Sequence, residues 1–414
     1  MKIFLLLGLI SVWISTGLAP GTEVQENIMP ESGERILLQN IRIFDVFQGK
    51  MSQPQNILLE GDRIKAVGTD VTSSRMDIRK IDCEGKFAVP GLFECHTHLT
   101  FLRTMGKTTL KTILSRFVQN GITQVRDVGG PIDVLHEISQ AVSKGEMLGP
   151  EFFYTGPMLE KPPLHWEEHN KRLPGFTVAV DTREDVDRIL PELVEGGAQL
   201  VKTFNKFDKQ IYAYLLEKAR AHSLRVIHDP GMPFFQMIPM EQAIDMGVTS
   251  IEHAMAPWHL ALKDEYQEEY ETLLAQGADE DKQNAFRQKM GLLGANSVSP
   301  ENLERIADTM LAKKVYLCPT LYVMEFLARQ PSPKDKSKEE QEQQKKFLAG
   351  MIEVGCLLVR ELAQRNVKLL VGQDNINPMG TLVEMRLLNK CGVDEPEIIR
   401  GATLYPALWL GVED

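Results

Sequence analysis

Two histidines one residue apart, His96 and His98, close the run Phe87-Ala88-Val89-Pro90-Gly91-Leu92-Phe93-Glu94-Cys95-His96-Thr97-His98-Leu99. The run is apolar and reads as extended. Side chains alternate in direction along a strand, so both imidazoles point to one side. Two imidazoles converging on one point are half of a site for a divalent cation. Further candidates fall at the ends of other β-prone runs: Asp127, Tyr154, Lys202, His228, His253, Cys318 and Asp374. His96, His98 and Asp374 could hold one cation, and His228 with His253 a second. Two neighbouring cations need a bridging anion besides water. An ammonium offers only donors. Lys202 can therefore ligate only if its deprotonated amine takes up carbon dioxide as a carbamate.

These residues need a scaffold that brings strand ends together. From Pro90 onward the pattern alternates between helix and strand. Leu110, Ile113, Leu114, Phe117 and Val118 repeat at helical spacing, Gly121 stops that helix, and Ile122–Val125 follows as a strand. The same alternation recurs through the strands Gln199–Phe204, Arg225–His228, Val248–His253, Val315–Cys318 and Lys368–Val371. With Phe152–Tyr154 as the third strand, about eight β/α units follow one another, which fits a closed (β/α)8 barrel. The rival is an open doubly wound sheet, but no glycine-rich phosphate loop follows the first strand. In a closed barrel the C-terminal strand ends share one pocket. Residues 34–87 read as strands of a small satellite β-sandwich, with a hairpin signal at Gly61-Asp62. The barrel is expected over residues 88–414.

Residues 1–19 read as a cleavable export signal, since Met1-Lys2 precedes an apolar run from Ile3 to Ile14 and then small residues through Ala19. The run is shorter than the ~20 residues of a spanning helix. The expected location is therefore periplasmic or secreted, with no stable membrane span. The formal net charge of -11 argues against a nucleic-acid surface. The five cysteines form no zinc knuckle or disulfide ladder, and most read as small buried apolar residues.

The ordered set resembles the amidohydrolase superfamily, whose layout is His-x-His on strand one, lysine on four, histidine on five and six, and aspartate on eight. The resemblance spans Ala88 to about Leu410. Local wording is similar to the imidazolonepropionase-like branch, which includes exported dipeptidases acting on Xaa-Pro bonds. The matching pieces are Pro90-Gly91-Leu92, Val125-Arg126-Asp127-Val128-Gly129-Gly130, Val201-Lys202-Thr203-Phe204, Ile251-Glu252-His253 and Gly401-Ala402-Thr403. The resemblance implies a TIM barrel with two divalent ions, zinc being the first expectation, on His96, His98, Lys202, His228, His253 and Asp374. It implies hydrolysis of a C–N bond in an amide, peptide or cyclic amide by a metal-bridging hydroxide, with Asp374 as proton shuttle. Strand five departs from the pattern in reading His228-Asp229-Pro230-Gly231. Relatives usually continue past the final helix with further satellite strands, so the satellite is expected half-built or the sequence a piece, truncated at the C-terminus.

A small molecule or short peptide is the expected substrate, and a homo-oligomer is allowed. Tyr154, His165 and Trp166 are candidates to contact the substrate. The charged stretch Leu260–Asn296 follows strand six and could shape a lid. Arg126 and Asp127 could pair to brace the barrel mouth. Other readings are a lactone or phosphoester hydrolase on the same metals, and a barrel that binds without turnover.

Overall fold

The computed structural model describes residues 35–72, 78–204, 206–231, 238–330 and 337–413. The expected export signal lies outside the described residues. The chain divides into two compact units. One holds the residues up to Ile43 with Ser52–Ala88, and the other holds Phe44–Met51 with Val89 onward.

The first unit is built on a mixed sheet around the long strand Arg35–Asp45, which pairs antiparallel with Gln55–Glu60 and parallel with Ile78–Asp82. Gln55–Glu60 turns back through Gly61-Asp62 onto Arg63–Gly68, with Glu60 opposite Arg63. Gly61 has φ +57, which a residue without Cβ adopts freely. Ile41, Ile57 and Cys83 form the buried centre of this unit.

The second unit is an α/β barrel. Its strands are Leu92–Thr97, Ile122–Asp127, Glu151–Tyr154, Leu200–Phe204, Arg225–Asp229, Ser250–Glu252 and Tyr316–Cys318. Met158–Glu160 continues the third strand after a break and pairs with the fourth. All the strand pairs are parallel. Among the described residues the expected eighth strand, Lys368–Val371, makes one regular bridge, Leu317 to Leu369. It still closes the ring. Leu370 N–H donates to Leu317 O at 2.8 Å, and Cys95 N–H donates to Val371 O at 2.9 Å. Val371 N–H is spent on Gly401 O at 3.0 Å, which keeps the segment from regular strand pairing.

Local signals set the helices. Thr182 caps Arg183–Glu195 in a reciprocal box with Asp185, and Ser299 accepts from Asn302 N–H before Pro300. The stretch expected as a lid forms two helices, Asp264–Ala275 and Glu280–Leu293. They are fastened, with Tyr270, Phe286 and Met290 buried in the core. Glu280–Leu293 crosses the long helix Lys338–Gln364 where Gly291 meets Gly350. A Cβ on Gly350 would lie 1.9 Å from Gly291 O.

Cys83, Cys95 and Cys318 are buried and free, as expected. Cys356 and Cys391 instead form a disulfide. Their separation of 35 residues carried no signal of it; the packing of Lys338–Gln364 against Gly380–Lys390 brings them together.

Gly350→Ala should therefore destabilise the protein by about 1–3 kcal/mol, because backbone must move to admit the methyl group. Urea unfolding with an unchanged slope checks this. An unshifted midpoint would show that the two helices are not held in contact.

Candidate metal centre

The first and eighth barrel segments are stapled by Glu94, which is fully buried. Its Oε1 accepts from His96 N–H at 2.7 Å and from Gln373 N–H at 3.0 Å, and its Oε2 from the Thr381 hydroxyl at 2.7 Å. Burial pushes this carboxyl up to about 8, against the pull of those three donors. Asp374 follows Gln373 directly, and its N–H donates to His96 O at 2.8 Å. The backbone thus brings the strand-eight carboxylate beside the strand-one histidines.

His96 Nε2 and His98 Nε2 lie 3.5 and 3.4 Å from Asp374 Oδ1. The remaining ring nitrogens are tied down. His96 Nδ1 is 2.6 Å from Glu252 Oε2, and His98 Nδ1 is 3.0 Å from Gly129 O. Those acceptors place the proton on Nδ1 in both rings and leave the two Nε2 lone pairs facing Asp374. His96 Nε2 is buried with no hydrogen-bond partner among the described residues. One ligand atom from each of the three side chains lies within 4.8 Å of the others. An orphaned buried imidazole nitrogen, a second imidazole and a carboxylate fit a divalent cation. Burial raises the Asp374 carboxyl, and positive charge at the neighbouring His96, His253 and His98 pulls it down.

Beside this trio sits a second group. Asp229 Oδ2 lies 3.0 Å from both Lys202 Nζ and His253 Nε2. His253 Nδ1 is 2.7 Å from Thr320 Oγ1, and its ring is 4.9 Å from that of His96. His253, Thr320 and Asp374 all have left-handed backbones, with φ +70, +51 and +52. Non-glycine residues seldom adopt that region, and such residues cluster at functional sites.

His228 does not join them. Lys202 is opposite Ile227 in the parallel register, and Thr203 is opposite His228. Opposed residues share a side, so with Lys202 pointing inward, Ile227 and Asp229 point inward and His228 points outward. His228 Nε2 donates to Ile238 O at 2.9 Å, and its Nδ1 lies 3.0 Å from both Thr203 Oγ1 and Tyr212 OH. Asp229 takes the inward position expected of His228. The same parity removes Tyr154 from the pocket. It opposes Asp127 while Phe153 opposes Arg126. The Tyr154 hydroxyl donates to Gly196 O at 2.9 Å, among the surrounding helices. Arg126 does not pair with Asp127 either. It reaches across the barrel to Glu252 at 2.8 and 3.0 Å and to Ser250 Oγ at 2.9 Å. His165 does reach the mouth, with its ring 4.8 Å from Trp166 and 5.5 Å from Phe204.

Sequence reasoning missed Asp229, and it left Glu252 and Thr320 without roles. Asp229 was legible in principle, since period-two parity from Lys202 selects it. The bond from Glu252 to His96 spans 156 positions and has no local signature.

A closed parallel barrel with imidazole and carboxylate groups gathered at its C-terminal strand ends defines the class. Residues 87–414 match the Amidohydrolase family, and the chain belongs to it. Over 65 residues it is 40% identical to a dihydroorotase from Syntrophotalea carbinolica, a stretch covering 16% of this chain and 15% of that one. The chain thus matches only a short part of that curated relative. Its fold is similar to that of a solved prolidase complexed with N-methylphosphonate-L-proline, with TM-score 0.66, 19% identity, and 92% and 88% of the two chains covered. It is also similar to a Xaa-Pro dipeptidase with bound methionine in the active site, with TM-score 0.67, 17% identity, and 92% and 90% covered.

Two variants test the geometry. Glu252→Gln should weaken metal affinity about 10–100-fold by loosening His96, as measured by chelator competition; unchanged affinity would remove Glu252 as its anchor. His228→Ala should lower the melting temperature yet leave the metal content as it was. Loss of a bound ion in that variant would contradict the outward placement of His228.

Proposed function

We propose that the protein is a metal-dependent hydrolase of C–N bonds, acting on an amide or a short peptide. The observation that carries the reading is the convergence of two free imidazole lone pairs and an ionised carboxylate at the barrel mouth. The fold shared with a prolidase and a Xaa-Pro dipeptidase favours peptide-like substrates. His96, His98 and Asp374 would hold the first ion, with zinc as the expected metal. A divalent ion there supplies polarisation of a carbonyl and lowers the pKa of a water from ~15.7 toward ~7.

Asp374 would take the proton of the attacking water and pass it to the departing nitrogen. Lys202 would become the bridging anion as a carbamate. Its ion-pair partner Asp229 would then be left to bind a second cation together with His253. Export also belongs to this reading, supported by the apolar N-terminal run and by the Cys356–Cys391 disulfide, a bond that persists in oxidising compartments.

The experiment is a panel of dipeptides and N-acyl amino acids given to protein stripped with chelator and reloaded with zinc or manganese. Activity should disappear on stripping and return on reloading. Asp374→Asn should lose about 10²–10⁴-fold in turnover while keeping its fold; a full rate in that variant would end the shuttle role. Metal analysis in bicarbonate should give two ions per chain for the native protein and one for Lys202→Ala. Equal content in both would exclude the carbamate.

A further inference from the structure

Glu160 ends the strand segment Met158–Glu160 and is fully buried. Met158 is opposite Lys202 in the parallel register. Glu160 lies two residues further toward the mouth, on the same side of the strand. Its Oε1 is satisfied by His165 N–H at 2.8 Å and the Thr177 hydroxyl at 3.1 Å, and the Trp166 N–H also acts on the carboxyl. Its Oε2 is buried with no hydrogen-bond partner among the described residues. No side chain forms an ion pair with it there, although the charge of Lys206 reaches it. Burial pushes the carboxyl up to about 7, against those donors.

Aromatic residues neighbour Glu160: Trp166 follows the His165 that donates to it, and Phe204 follows Thr203, the partner of Leu159. Trp166 and Phe204 lie 6.1 Å apart, and the His165 ring packs on both. The cluster continues to the metal centre, because Phe204 is two residues beyond Lys202 and Phe176 packs 5.7 Å from His98. A carboxylate oxygen lacking a donor, with an aromatic cluster on neighbouring residues, attracts a cation. The oxygen supplies charge and hydrogen-bond acceptance, and the rings supply their negative faces.

We propose that Glu160, with Trp166 and Phe204, forms a subsite that recognises a positively charged nitrogen of the substrate. This rests on the hydrolase reading above and narrows its substrate class to peptides or amides carrying an ammonium or guanidinium group. The oxygen is buried, so binding requires the neighbouring turn that carries His165 and Trp166 to give way. Two sources share this chemistry, an α-ammonium and a basic side chain.

Binding to the zinc-loaded full chain, measured by calorimetry, separates the sources with two matched pairs. N-acetyl-L-argininamide is compared with N-acetyl-L-citrullinamide, and L-alaninamide with N-acetyl-L-alaninamide. In at least one pair the cation should bind about tenfold more tightly than its neutral twin. Glu160→Gln should abolish that preference while retaining metal content. Trp166→Ala should reduce it and serves if the first variant does not fold. Equal binding within both pairs, absent binding by all four probes, or a preference surviving in Glu160→Gln overturns the subsite. Tighter binding of the neutral twins does so too, and marks Glu160 as a protonated donor. Hydrolysis of the dipeptide panel is scored separately. A preference without hydrolysis keeps the subsite and sinks the hydrolase; hydrolysis without a preference does the reverse.

Discussion

The centre depends on a buried carboxylate held between two groups. Glu252 takes the Arg126 guanidinium on both oxygens and the His96 imidazole on one. All three side chains are excluded from solvent. A lone carboxylate there would be costly, and so would a lone guanidinium. Each is acceptable because the other is present and because Cys95 O and Ser250 Oγ take two of the other Arg126 donors. The Trp409 ring lies 5.2 Å from the guanidinium carbon and supplies an aromatic face. The consequence for the site is geometric. His96 is fixed in rotation, its proton is fixed on Nδ1, and its Nε2 faces Asp374.

Closure of the barrel does the rest. The eighth segment is too irregular to be a strand, so its position relies on specific bonds rather than on a ladder. Glu94 supplies the main ones, and the Thr97 hydroxyl adds another by donating to Asn375 O at 2.8 Å. Asp374 can hold a left-handed backbone because the residues on either side are anchored to the first strand. Thr320 and His253 repeat the device on strands six and seven. His253 N–H donates to Cys318 O, and Glu384 accepts from Leu321 and Tyr322 N–H at the start of the following helix. Glu384 thereby satisfies two of the N–H groups that a helix start leaves without an intrahelical partner.

Catalytic groups on such a barrel come from many strands, so their chemistry is separable from the frame. The frame here is conventional in its packing, with helices shielding a parallel ring and apolar residues filling the lower interior. The groups that carry chemistry lie above the strand ends. An aspartate occupies the inward place on strand five. An aromatic wall with a buried glutamate stands over strands three and four. The two helices after strand six are locked down through a glycine crossing instead of hanging free.

The sequence by itself determined the alternation of helix and strand, the barrel, the capped helix starts and the two histidines of strand one. These follow from local periodicity and from cap and turn residues, whose physics acts over a few positions. It also named Asp374, His253 and Lys202, because each falls at or just past the end of a β-prone run. Tertiary structure decided which face of each strand looks inward. That parity depends on register with the neighbouring strand, and a shift of one residue exchanges His228 for Asp229 and Tyr154 for Phe153. It also decided the partners of His96 and Arg126 and the pairing of Cys356 with Cys391. Such contacts join residues far apart along the chain, where no local pattern constrains which polar group meets which, so only the folded ring could select them.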